Sequence, residues 1–202
     1  MTAAPFPWIE GDCDFFADEE IEAQILEEFE ACAPLGEPFY EGVAAAVGSD
    51  AGLDRLTGVV RIARVVFLDG GGFEFSDDKP DAPSKGALIF LVRNRFGHAI
   101  DLAAWPGSGA PTLWHSRGCL LGEDGMFWRP RLNPSGALIV HPTAGRWLHA
   151  GGRGCVIIDP LKAAPLLRRA GLLEAASTEH ALELRDMLEL RRPSILVPEG
   201  AL

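Results

Sequence analysis

One tyrosine, three lysines and three methionines are all that this 202-residue chain holds of those types, and its four cysteines never fall into a CxxC spacing. The lysine shortage does not make the chain poor in cations, because fifteen arginines complete the basic set. Cys13, Cys32, Cys119 and Cys155 follow no zinc-finger spacing, so reduced thiols are expected. No apolar run approaches the length of a membrane span. Residues 1–10 lack the basic start and long apolar stretch of a signal peptide, so a cytoplasmic location is predicted. A hydrophobic content of 48% and a charged content of 23% are ordinary for a globular protein long enough to bury a core.

What is present is unevenly distributed. Residues 1–55 carry 14 acids and one base, a balance of −13, whereas residues 82–153 carry eight bases and three acids, a balance of +5. Four of the five tryptophans and four of the five histidines lie between His98 and His149. Rings, imidazoles and guanidiniums in one stretch suit a ligand-contacting face. They suit the core of a small sheet equally well.

The periodicity divides the chain into three parts of a single α+β domain. Ile21, Ile25, Leu26, Phe29 and Cys32 recur at helical spacing, which predicts an acidic helix from Asp18 to Cys32 within segment 1–55, with a weaker helical stretch over Phe39 to Val47. From Leu56 to Ile158 short apolar runs alternate with Gly/Pro turns, the pattern of an antiparallel meander. Within it, Asp69–Gly72 reads as a hairpin turn, Ala87–Val92 as a central strand and Arg146–His149 as one more strand. Residues 159–202 read as two helices and a short extended tail, Ser194–Val197. Asp159 with Pro160 is expected to cap the first helix, Pro165 to break it and Gly171 to end it, and Thr178 is expected to cap the second.

No catalytic motif is complete. The glycines of Asp69–Gly72 and Gly151–Gly154 lead into strands rather than helices, so neither suits a phosphate cradle. His115, Cys119, His141, His149 and Cys155 lack a zinc signature, and no metal or other cofactor is expected. Asp101, alone among apolar neighbours, needs a partner such as Arg93 or Arg95. A small enzyme with a site assembled from Asp101, His115, Cys119 and His149 is the alternative to a binding protein. The leading expectation is a face formed by Trp105, Trp114, Arg117, Trp128, Arg129, Arg131, Arg146 and Trp147, taking a protein partner or single-stranded nucleic acid.

Three stretches, Gly97-His-Ala-Ile-Asp-Leu-Ala-Ala-Trp105, Gly145-Arg-Trp-Leu148 and Ile195-Leu-Val-Pro198, resemble uncharacterised proteins of alphaproteobacterial phages and prophages. The resemblance covers about the C-terminal two-thirds and implies a mobile-element setting without implying an activity. The expected function is thus a non-enzymatic binding or accessory protein.

Overall fold

The helical spacing of Ile21, Ile25 and Phe29 forms α1 (Glu19–Ala31) in the computed structural model, which describes residues 19–35, 60–76, 83–126 and 135–189. Asp18, the stretch Phe39–Val47 and the tail Ser194–Val197 lie outside the described residues. α1 buries Ile25 and Phe29 on one face, and leaves Glu27 and Glu30 exposed on the other. Glu30 meets Arg61 at 2.6 Å rather than the arginines farther along the chain.

A six-stranded antiparallel sheet supports this helix. Strand β1 (Ala33–Pro34) pairs with β2 (Val60–Phe67), which pairs with β4 (Lys85–Arg93); β5 (Ala99–Trp105) and β6 (Thr112–Leu113) follow in order, and β3 (Phe73–Phe75) returns on β2. The expected hairpin is present, closed by Leu68 N donating to Gly72 O at 3.1 Å. β4 is central, as its continuous apolar run requires: Ile89 faces the α1 side, while Leu88, Phe90 and Val92 face the other.

The β4–β5 pair contains one irregularity. Val92 opposes Asp101 but Arg93 opposes Ala99, so Ile100 is an extra residue. A bulge of this kind turns two consecutive side chains to one face. Ile100 therefore packs with the Trp105 side of the sheet, not with Leu102 as strict alternation predicts.

The second half departs from a continuing meander. β7 (Leu120–Leu121), β8 (Leu138–His141), β9 (Cys155–Ile157) and β10 (Leu173–Ala175) make a separate sheet in the order β10-β8-β9-β7. Its β8–β9 and β8–β10 pairs are parallel and its β7–β9 pair is antiparallel. Parallel pairing needs crossovers. The first is α2 (Ala144–His149), formed by the residues expected to be a strand. Thr143 caps it by accepting from Arg146 N at 3.2 Å, and Ala144, Trp147 and Leu148 fall on its buried face. The second crossover is α3 (Pro160–Arg169), capped by Asp159 through Leu161 N and Lys162 N at 3.0 and 3.3 Å, as expected.

Pro165 does not interrupt α3. The hydrogen bond it forfeits is one to the carbonyl of Leu161, in the first turn, where that residue is 88% exposed. Gly171, at φ +78°, ends the helix as predicted. Residue Ser177, one position before the expected Thr178, caps α4 (Thr178–Leu188) by accepting from His180 N at 3.1 Å.

Three apolar clusters fill the layers. One joins α1 to the first sheet, one lies between that sheet, Leu121, Val156 and α2, and the third lies between the second sheet, α3 and α4. The whole is an α+β fold with a mainly antiparallel sheet, an N-terminal helix and C-terminal helices. Among the described residues no helix is long and apolar enough to cross a membrane.

α1 is also held by a carboxylate. Glu22 Oε1 accepts from Ala99 N at 2.8 Å, and Oε2 lies 3.0 Å from His98 Nδ1. The Ala99 N–H chiefly, helped by His98, holds the Glu22 carboxyl below its ordinary range. Such a group stabilises the fold above its unfolded pKa, and the contribution is lost as pH falls through the lower folded value. Glu22→Gln is expected to reduce the steepness of acid unfolding below pH ~4.5, measured by circular dichroism during an acid titration; an unchanged profile would contradict this role.

Candidate functional site

The site begins with Asp101, which shares the face of Ala103 and Trp105 in the regular part of β5 and is wholly buried. An ionised carboxylate there needs donors. It finds them in the backbone rather than in Arg93 or Arg95. Oδ1 accepts from Leu102 N and His115 N, both at 2.9 Å, and Oδ2 accepts from Arg117 N at 2.7 Å and, less closely, from Gly118 N at 3.4 Å. Arg93 instead donates to Gly97 O, and Arg95 lies over the Phe96 ring at 4.8 Å.

The loop 114–118 is thus fastened along its length. Trp114 N donates to Leu102 O at 2.9 Å, and beyond the loop Cys119 O accepts from Ile158 N and Asp159 N at 2.8 and 3.1 Å. Gly118 has no room for a side chain, since a Cβ would lie 2.5 Å from Val92 Cγ1. Ser116, at φ +55°, takes a left-handed conformation that costs a non-glycine residue energy, and Lys162 Nζ donates to its carbonyl. Lys162 is in turn 3.6 Å from Asp159.

This fastened loop holds out two side chains. The His115 ring is exposed and stacks on Trp114, with centroids 4.0 Å apart and planes 29° apart; Trp114 in turn meets the edge of Phe75 at 5.6 Å. Partial burial lowers the His115 pKa, against the opposing pull of Asp101. Arg117 is half-buried, its Nη1 is enclosed without an acceptor, and its guanidinium makes no hydrogen bond or ion pair among the described residues. In the neighbouring β4–β5 turn Phe96 is 53% exposed.

The other expected face residues are dispersed. Trp105 and Trp147 are core residues, 3% and 6% exposed, with Nε1 donating to Gly109 O at 3.0 Å and Gly154 O at 3.1 Å respectively. Their rings offer no stacking surface, because their size is used to fill the space between the sheets. Arg146 is exposed on α2. Trp128, Arg129 and Arg131 lie outside the described residues.

Of the four residues in the enzyme alternative, Asp101 and His115 meet only through the His115 backbone. Cys119 is buried with its Sγ 3.9 Å from Glu123 Oε2, and burial first, then the nearby carboxylates, pushes its thiol up to about 12. His149 is exposed on α2. Cys155 is likewise pushed up to about 12 by burial, and His141 is held by Arg153 O at 2.8 Å from its Nε2. No cluster of three or more metal-binding side chains occurs among the described residues.

Sequence reasoning missed Glu123. It is buried, accepts from Arg95 N at 3.2 Å and so ties the β4–β5 turn to the second half of the chain. Burial raises its pKa. Its only signal was an acid between two turn glycines, which reads as solvent-facing.

A thiol at about 12 is protonated at neutral pH and unreactive. Iodoacetamide at pH 8 is therefore expected to leave Cys119 and Cys155 unmodified in the native protein and to label both in urea, read by peptide mass spectrometry. Rapid native labelling of Cys119 would contradict this environment. Comparison with protein-family models, curated proteins and solved structures found no match.

Proposed function

We propose that this protein is a non-enzymatic binding or accessory protein acting in the cytoplasm, in the phage or prophage setting its sequence resembles. It engages a protein partner through the sheet end where the 114–118 loop and the Phe96 turn project. The observation that carries the proposal is the use of Asp101: its two oxygens take four backbone N–H bonds, so the carboxylate shapes a loop instead of serving a substrate. A rigid loop presenting the exposed His115 ring and a half-buried cation loses little entropy on association.

A protein partner fits better than single-stranded nucleic acid. Stacking successive bases needs several outward rings in a basic groove, and Trp105 and Trp147 face inward. The acidic α1 is also fixed to the sheet by Ile25, Phe29 and Glu22 rather than being free to move aside.

Replacing Phe96 with a photo-crosslinking phenylalanine analogue, in the full chain expressed in its source cells, tests this. The same analogue at Leu161, 88% exposed on α3, serves as the control. A discrete protein adduct at position 96 and none at 161 is expected. Adducts to nucleic acid, or the same set at both positions, would sink the proposal.

A further inference from the structure

Resting on that binding reading, we infer that the 114–118 loop recognises a carboxylate of an acidic peptide segment on the partner, with Arg117 as the cation that receives it and the stacked His115 beside it. Arg117 is the reason. A guanidinium presents five N–H donors in a rigid fork matched to a carboxylate, and that of Arg117 is partly exposed and has no hydrogen-bond partner among the described residues. Arg61, the other arginine with an enclosed unpartnered nitrogen among the described residues, already has Glu30 at 2.6 Å. Arg117 has no such partner, although its backbone is held by Asp101 at 2.7 Å. Nη1 is closed off, so an anion meets the guanidinium through its remaining nitrogens, which likewise have no partner among the described residues.

The surroundings narrow the ligand. Asp101 lies beneath the loop with its oxygens occupied by backbone N–H groups, and Lys162 is engaged by the Ser116 carbonyl and Asp159. His115 adds an imidazole that gains a proton more readily when an anion lies beside it. One free fork and one imidazole match a single carboxylate with its neighbouring side chain. A nucleic-acid strand would need a succession of cations along its phosphates.

The test uses the full-length protein in a nuclear magnetic resonance titration, following the His115 ring and the Arg117 side chain. The probes are hexaglutamate, hexaglutamine, a thymidine hexanucleotide and inorganic phosphate. Hexaglutamate is expected to shift both signals saturably and to raise the His115 pKa, while hexaglutamine leaves them unmoved. Arg117→Gln, checked for an unchanged unfolding midpoint, is expected to weaken hexaglutamate by about tenfold or more, and Arg117→Lys by less, because it keeps the charge and loses the fork. No saturable shift, equal binding of hexaglutamine, an unaffected Arg117→Gln, or tighter binding of the oligonucleotide or phosphate would overturn the inference. If hexaglutamate fails while Phe96 still yields a discrete protein adduct, the carboxylate assignment falls alone; loss of the adduct removes the binding proposal itself.

Discussion

Asp101→Ala is expected to lower the free energy of unfolding by about 3–5 kcal/mol, because it strands buried N–H donors that now end on one charged acceptor. Leu102, His115 and Arg117 supply the three close bonds, and the Gly118 contact at 3.4 Å contributes least. The loss should appear in urea unfolding as a lower midpoint with little change in slope. Asp101→Asn keeps one acceptor oxygen and turns an amide toward the remaining donors, so it falls between wild type and alanine. The alanine variant should also lose the His115–Trp114 stacking that the loop geometry enforces. A cost below about 1 kcal/mol would mean that the carboxylate contributes no more than one ordinary hydrogen bond.

Gly154→Ala should be of similar severity for a different reason. A Cβ there would lie 2.3 Å from Ile139 O and 3.1 Å from His141 Nε2, with the backbone at φ +78°. The left-handed backbone costs an L-residue about 1–2 kcal/mol, and forcing atoms into filled space adds about 1–3 kcal/mol. Gly154 also supplies the carbonyl that Trp147 Nε1 reaches at 3.1 Å, so a displaced backbone should shift the tryptophan fluorescence. Gly151→Ala separates the two causes: its φ of +66° brings the same backbone cost, but nothing lies within 4 Å of its Cβ. That variant is expected to lose about 1–2 kcal/mol only. Equal losses at the two positions, measured by denaturant unfolding, would show that close packing at Gly154 is unimportant.

Much of the fold is legible where one signal dominates. The 3.6-residue spacing of α1, the Asp159–Pro160 cap and the glycine hairpin after β2 each have a local cause, and each appears in the structure. The second sheet was hidden because its elements are short and buried. Arg146–His149 is apolar enough to pass for a strand, yet Thr143 followed by Ala144, Trp147 and Leu148 carried a capping and spacing signal for a helix. Strand β10 has three residues and a parallel partner far away in sequence, a pairing that no local pattern encodes.

The site shows the same division. Asp101 stood out as an acid in an apolar strand, but three of its four partners are amides fourteen to seventeen residues later, brought near only by the fold. Arginines are the natural expectation for such a carboxylate, because backbone donors leave no trace in a sequence. Clustering of tryptophans in the sequence did not distinguish Trp114, half-exposed beside His115, from Trp105 and Trp147 between the sheets. The bulge turns Ile100 to the same face as Asp101, against the alternation of the strand, and a bulge has no composition of its own.

A buried carboxylate that fastens the 114–118 loop should make its amides as resistant to exchange as those of a strand. Amide hydrogen exchange at His115, Arg117 and Gly118 in the full-length native protein measures that rigidity. The His115 and Arg117 amides are expected to exchange as slowly as those of Phe90 and Val92 in the sheet, Gly118 somewhat faster, and all three to lose that protection in Asp101→Ala. Exchange at His115 and Arg117 near the rate of an unstructured chain in the wild-type protein would contradict it.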